Sequence, residues 1–235
     1  LLRSEAASAT TLFQTGKVDH LTADATEVFW VTDTTPARLE RATVDGAADP
    51  DFGFDIEGIG DLALDEDFLY WLESAEEGRV RRIDRRTHVA SDIGAAGRGA
   101  ELALYGDSAW WRTADGQVRR ARLDGEGAPT LALEAGAVAL SGGEAGLFVG
   151  HESGYAWPIE GASDFGSALF PRDELPSVLA VGARHLWWAT GGVVARSDAS
   201  GRVEVIAPTR PAILATGGGR VAWYRQGTVT TRSLD

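Results

Sequence analysis

The 235-residue chain contains no cysteine, no methionine and no asparagine, and Lys17 is its only lysine. Without cysteine there are no disulfides, thiolate metal sites or cysteine nucleophiles, nor the lipidated first residue of a mature lipoprotein. One lysine beside 21 arginines points to a GC-rich genome and a bacterial source. With methionine missing, Leu1-Leu2-Arg3 reads as a stump left by processing, and the expected setting is secreted, periplasmic or cell-surface. Long apolar runs are lacking too. None approaches the roughly 20 residues of a membrane-spanning helix. Positive charge is scarce: 22 basic against 35 acidic residues leave a net charge of −13. That balance repels nucleic-acid phosphates and anionic lipids alike and favours a basic or cationic partner. No G-x-S-x-G elbow, phosphate-binding loop, H-E-x-x-H or EF-hand pattern occurs.

What is present is aromatic and periodic. Eight Trp, eight Phe and four Tyr with 29 Gly favour short strands joined by turns. An apolar pair recurs as Phe29-Trp30, Tyr70-Trp71, Trp110-Trp111, Phe148-Val149, Trp187-Trp188 and Ala222-Trp223, its second members spaced by 41, 40, 38, 39 and 35 residues. A turn of acidic or Gly residues precedes each pair, as in Asp65-Glu66-Asp67 and Gly106-Asp107. Before each turn runs a stretch with small residues suited to a crowded inner strand: Leu62-Ala63-Leu64, Leu102-Ala103-Leu104, Val138-Ala139-Leu140, Leu179-Ala180-Val181 and Leu214-Ala215-Thr216. After the pair come an alternating third strand, such as Gly78 to Asp84 or Gly116 to Gly125, and a less regular fourth, such as His88 to Ile93.

Four antiparallel strands in about 40 residues make one blade of a β-propeller. The expected fold is all-β: one six-bladed β-propeller domain over 1–235, with blades near 18–58, 59–98, 99–135, 136–175, 176–209 and 210–235 plus 9–16. The last repeat stops after three strands, so Thr10 to Thr15 is expected to complete its blade and close the ring. Binding loops are expected at Asp49 to Gly53, Ala95 to Gly99 and Asp164 to Glu174.

The strings Val28-Phe29-Trp30-Val31-Thr32-Asp33 and Leu69-Tyr70-Trp71-Leu72-Glu73, with the downstream segments Leu39 to Gly46 and Val118 to Gly125, resemble YWTD-type propeller repeats over nearly the whole chain. They are also similar to NHL and TolB-like repeats. The resemblance implies six blades. YWTD propellers of the receptor type are flanked by cysteine-rich modules absent here, so their ligand specificity does not transfer. Propellers resembling gluconolactonases and paraoxonases hold Ca²⁺ with Glu, Asp and usually Asn, a set this chain cannot complete. The leading expectation is a non-enzymatic binding or scaffold propeller presenting loops to a protein or small ligand. The alternatives are a metal-dependent hydrolase or lyase at the channel mouth and a structural module of a secreted or surface assembly, for which Trp157 and Phe170 are the residues to inspect.

Among individual residues, the repeated aromatics read as core. Arg41, Arg82, Arg120, Arg196 and Arg232 recur on third strands near Asp45, Asp84, Asp124, Asp198 and Asp235, a pattern suited to hydrogen bonding between blades. The residue before each inner-strand triplet is His20, Asp61, Glu101, Ala137, Val178 or Ile213 in blade order. If this position faces the channel mouth, His20, Asp61 and Glu101 converge as ligands for a divalent cation or a cationic ligand. His88, His151 and His185 lack metal-ligand spacing and read as structural or exposed, and Asp51-Phe52-Gly53 and Asp164-Phe165-Gly166 read as turns.

Overall fold

The computed structural model describes residues 18–24, 26–32, 34–43, 47–143, 146–161, 168–169, 178–181, 185–190, 193–198, 200, 202–207, 213–217, 220–225 and 228–233, with backbone alone for 18–19, 155, 161, 168–169, 178, 207 and 213–233. Among them six antiparallel sheets follow one another along the chain, five of four strands and one of three. The first comprises β1 (Val18–Ala23), β2 (Glu27–Thr32), β3 (Ala37–Thr43) and β4 (Ala48–Ile56), and the second β5 (Ile59–Leu64), β6 (Phe68–Glu73), β7 (Arg79–Asp84) and β8 (Ala90–Ala95). The third holds β9 (Gly99–Tyr105), β10 (Ser108–Thr113), β11 (Val118–Arg122) and β12 (Thr130–Leu133), the fourth β13 (Ala137–Gly143), β14 (Gly146–His151), β15 (Tyr155–Gly161) and β16 (Ala168–Leu169). The fifth holds β17 (Val178–Val181), β18 (His185–Ala189), β19 (Val194–Asp198) and β20 (Val203–Ala207), and the sixth β21 (Ile213–Gly217), β22 (Arg220–Arg225) and β23 (Thr228–Ser233). Thr10 to Thr15, expected to pair with β23, lies outside the described residues.

Each sheet is a meander because its turns are short. Gly106 and Asp107 alone join β9 to β10, a two-residue turn that needs a left-handed backbone, and Gly106 supplies it at φ 61°. The first strands β1, β5, β9, β13, β17 and β21 lie against one another in sequence order. Their small residues follow from that crowding. A Cβ at Gly60 would stand 2.8 Å from the Gly99 carbonyl oxygen, and one at Gly142 2.7 Å from that of Leu104.

The core lies between the sheets. Phe29 of β2 packs with Trp71 of β6, Tyr70 with Trp111 of β10, Trp110 with Val149 of β14, and Phe148 with Trp188 of β18. Among these residues the first member of a pair thus faces the next sheet and the second the preceding one, as side chains alternate across a strand. These residues are all buried, as the packing role expected of them requires.

Two expectations about loops are corrected. Asp49 to Gly53 lies inside β4, and Asp51-Phe52-Gly53 is strand, with Phe52 buried edge-on to Phe29 at 5.6 Å. Outer strands alternate exposed polar with buried apolar residues, so their composition imitates a loop. Ala95 ends β8 and Gly99 begins β9, which leaves only 96–98 as connection. Asp164 to Glu174 lies outside the described residues except for Ala168 and Leu169 of β16.

Candidate functional site

Inner strands of the first five sheets line an open cavity of about 590 Å³ whose wall includes Thr22, Asp61, Glu101, Ser141 and Leu179. Asp61 and Glu101 thus line one cavity, and His20 is not among its described lining residues. Register fixes how. His20, Asp61 and Glu101 each pair with the residue after the aromatic marker: Val31, Leu72 and Arg112. In the fourth sheet that partner is Gly150, and the residue paired with it is Ala139. The equivalent of Glu101 there is thus Ala139, not Ala137: the same pairing irregularity lies just before this position in each of the first four sheets, and the expected triplet in β13 starts two residues early. Val178 and Ile213 hold the position in the fifth and sixth sheets, paired with Ala189 and Tyr224.

Both carboxylates are engaged by backbone. The Leu62 amide donates to Asp61 Oδ1 at 2.8 Å, and the Leu102 amide of the next sheet donates to Oδ2 at 2.9 Å. Glu101 repeats this one sheet on: its Oε2 accepts the Leu140 amide at 2.7 Å and Arg112 Nε at 3.0 Å. Each carboxylate is thus a staple from its own inner strand to the next one. Arg112 escaped the sequence reading. Its signal is the antiparallel rule that places the residue after the marker opposite Glu101.

Burial pushes the Asp61 carboxyl up to about 6, against the pull of the Leu102 and Leu62 amides and the nearby charge of His20, with Glu101 adding to the rise. In the unfolded chain the same group titrates near an ordinary aspartate. Between those values the native state binds the extra proton, so this residue's contribution to stability is greatest at low pH and is lost as pH rises through about 6. Against an Asp61→Asn reference, the wild type should gain about 2 kcal/mol on going from pH 7.5 to 4.5. Urea unfolding of both proteins at the two pH values measures this, and a pH-independent difference would remove the assignment.

Among the described residues no three His, Asp or Glu side chains are gathered as a metal ion requires. His20 is held close enough to influence Asp61. A cation here would have to compete with the amides that already occupy Asp61 and Glu101.

A second series of contacts crosses between sheets at the third strand. Arg41 Nη1 donates to the Arg85 carbonyl at 2.7 Å, Arg82 Nη1 to the Leu123 carbonyl, and Arg120 Nη1 to Glu160 Oε2 at 3.3 Å. These are the expected blade-to-blade bonds. Arg196 differs, since its Nε and Nη2 bind Glu204 of its own sheet at 2.9 and 2.8 Å. Arg232 pairs with Val221, one residue beyond the shared register, which Thr231 occupies. The accompanying aspartates serve turns: Asp84 accepts the Arg86 and Thr87 amides, Asp124 that of Glu126, and Asp198 those of Ser200 and Arg202. Asp45 and Asp235 lie outside the described residues.

Where the first two sheets meet, these contacts condense into a network not foreseen from the sequence. Arg85 Nη2 binds Asp24 and Glu27, Nε binds Glu27 at 3.0 Å, and Nη1 donates to the Asp65 carbonyl at 2.7 Å. Arg41 joins it through Glu27 at 3.2 Å and through Asp49. Burial pushes the Asp24 carboxyl up, but the Thr26 and Glu27 amides, the Thr26 hydroxyl and Arg85 together hold it far below the usual range.

No protein-family model matches the sequence. No curated protein matches it either. Solved structures do. The chain is similar to one in a nidogen/laminin complex, at 16% identity and TM-score 0.62, covering 89% of this chain and 90% of that one. It is similar to the computationally designed Ika8 protein, at 14% identity and TM-score 0.65, covering 92% and 70%. It is also similar to PorZ, a surface component of the type-IX secretion system of Porphyromonas gingivalis, at 12% identity and TM-score 0.65, covering 95% of this chain but only 34% of PorZ. Such identities carry fold alone, and that fold is the β-propeller.

Proposed function

We propose that this chain is a non-enzymatic propeller of the YWTD type that docks a basic protein segment on the face at which Asp61 and Glu101 stand. One observation carries the reading. In an antiparallel meander the loops from second to third strand, and from each sheet to the next, share one end. On that end Glu57, Glu76, Glu77, Asp115, Glu134 and Glu152 are exposed, against Arg98 and Arg119, which line a pocket with Glu76 and Asp115. None of the six carboxylates belongs to an ion pair among the described residues. An excess of like charge on a rigid ring draws and orients a partner of opposite sign. The likeness to a chain of a nidogen/laminin complex and to a secretion-system surface component supports a binding role in a secreted or cell-surface setting. Six-bladed closure, with Thr10 to Thr15 completing the sixth sheet, belongs to the same proposal, because β23 ends a three-stranded sheet.

A fluorescent dodeca-arginine peptide should bind the full chain, with affinity falling at least tenfold between 50 and 500 mM NaCl, a range over which the Debye length shortens about threefold. The Glu76→Lys/Glu77→Lys/Glu134→Lys variant should lose tenfold or more, and Glu66→Lys/Asp67→Lys/Glu126→Lys, on the opposite end, less than threefold. Equal losses from the two ends would reject the assigned face. A second reading, a divalent cation or cationic ligand at His20, Asp61 and Glu101 serving a hydrolase or lyase, is favoured by the cavity shared by the two carboxylates. Thermal shifts with Ca²⁺, Mg²⁺, Mn²⁺ and Zn²⁺, abolished by Asp61→Ala and Glu101→Ala, would establish it in place of the first.

A further inference from the structure

On the acidic end, the second and third sheets leave a cleft between their loops. The turn from β6 to β7, the 96–98 connection and the turn from β10 to β11 border an open cavity of about 430 Å³ lined by Glu76, Gly97, Arg98, Asp115, Gln117 and Arg119. Its walls are fastened to one another through backbone. The Gly78 carbonyl accepts the Ala96 amide at 2.8 Å and that of Gly97 at 3.2 Å, and the Arg98 carbonyl accepts the Ala114 amide at 2.8 Å. At Gly97 the backbone is left-handed, with φ 69°, and a Cβ there would meet no atom within 4 Å. A ligand can therefore approach the main chain closely at this point.

Four charged side chains line the cavity without neutralising one another. Among the described residues no ion pair joins Glu76 or Asp115 to Arg98 or Arg119. Each sign has an anchored member. Arg119 donates from Nε and Nη2 to Gln117 Oε1 at 3.1 and 2.9 Å, which fixes its fork and leaves Nη1 uncommitted. Asp115 Oδ1 accepts the Thr113 hydroxyl. That bond above all, with the Asp115 and Gln117 amides and the charge of Arg119, holds the Asp115 carboxyl below its ordinary value against a small desolvation. Opposite charges kept apart across open space suit a ligand that carries both signs, a carboxylate for the guanidiniums and a cation for the carboxylates.

We infer that this cavity receives the free carboxyl terminus of the docked basic segment, with its terminal carboxylate on Arg98 and Arg119 and the cationic side chain of its last residue between Glu76 and Asp115. The inference rests on the docking reading of this face and adds a direction to it: the partner enters by its C-terminal end. The volume agrees, since ligand pockets span about 300–1,000 Å³, and capture of a terminal carboxylate is a recurrent mode of peptide recognition. The surrounding charge makes the inference sharp. Diffuse attraction to an acidic surface favours the peptide that lacks a terminal negative charge. Only a local carboxylate site reverses that order.

Two forms of N-terminally labelled dodeca-arginine, one ending in a carboxylate and one in a carboxamide, are titrated onto the full chain by fluorescence anisotropy. The carboxylate form should bind at least fivefold tighter. In Arg98→Gln/Arg119→Gln that preference should fall below 1.5-fold, while the carboxamide form binds at least as well as to the wild type, because two positive charges have left an acidic surface. Alanine in place of the last arginine should weaken the carboxylate form at least threefold more than alanine in place of the first. Carboxamide bound to the wild type as tightly as carboxylate, a preference that survives the double substitution, or equal losses from the two alanine peptides would overturn the carboxyl-terminal site and leave the docking face standing. Binding of neither form would overturn both.

Discussion

Trp111→Ala should cost about 4 kcal/mol, the range for deleting a large buried aromatic whose cavity cannot collapse. Trp111 is fully buried, fills the space between the second and third sheets against Tyr70, Leu72 and Leu102, and donates from Nε1 to the Ala96 carbonyl at 3.2 Å. The substitution therefore removes both apolar contact and a bond that ties β10 to the connection after β8. For a chain of this size the melting temperature should fall by about 10 °C. Trp111→Phe keeps most of the volume and loses the bond, so its cost should be about half. Urea unfolding of the three proteins decides the matter. A loss under about 1.5 kcal/mol for the alanine variant would mean that the joint repacks.

Arg85→Ala should cost about 3 kcal/mol, because it strands two carboxylates that lie partly out of water. The Arg85 side chain is 10% exposed, Glu27 19% and Asp24 27%, so the partners retain some solvent and the figure belongs at the low end for a buried pair. Arg85→Lys should recover little of it, since one ammonium cannot serve Asp24, Glu27 and the Asp65 carbonyl from the planar fork these acceptors fit. The signature separating this from a packing defect is pH. Asp24 is held far below its ordinary value in the native state, so its share of stability is present at neutral pH and is lost as pH falls toward that lowered value. The gap between wild type and Arg85→Ala should accordingly narrow in acid. A gap constant from pH 7 to pH 3 would show that Arg85 acts through packing on Phe29 instead.

The strand plan was legible in the sequence because packing between sheets imposes a period on apolar residues. Phe29-Trp30 and its repeats mark second strands, and Gly106-Asp107 marks a hairpin, for local reasons. What was not legible depends on partners far along the chain. A carboxylate at Asp61 reads alike as a ligand or as a staple, and only the Leu102 amide, 41 residues on, distinguishes them. Arg85 stands in an ordinary turn sequence, and its acceptors Asp24 and Glu27 lie 61 and 58 residues upstream. The slip at Ala137 came from taking Val138-Ala139-Leu140 as the inner triplet, two residues ahead of the register that strand pairing assigns.

The rim carboxylates each bind an amide one sheet ahead, and this gives the repeats an address. Aromatic pairs of similar shape would let any sheet stack on any other. The polar contacts distinguish sheets that carry an acceptor from one that does not: Asp61 and Glu101 each take a backbone amide of the sheet ahead, Leu102 and Leu140, and Ala139 takes none. Exchanging the second and fourth repeats would leave Ala139 facing an amide with no acceptor to meet it and would set Asp61 against the fifth sheet. A chain built of near-duplicate units thus stores the number of its units in its apolar residues and their order in a handful of charged ones.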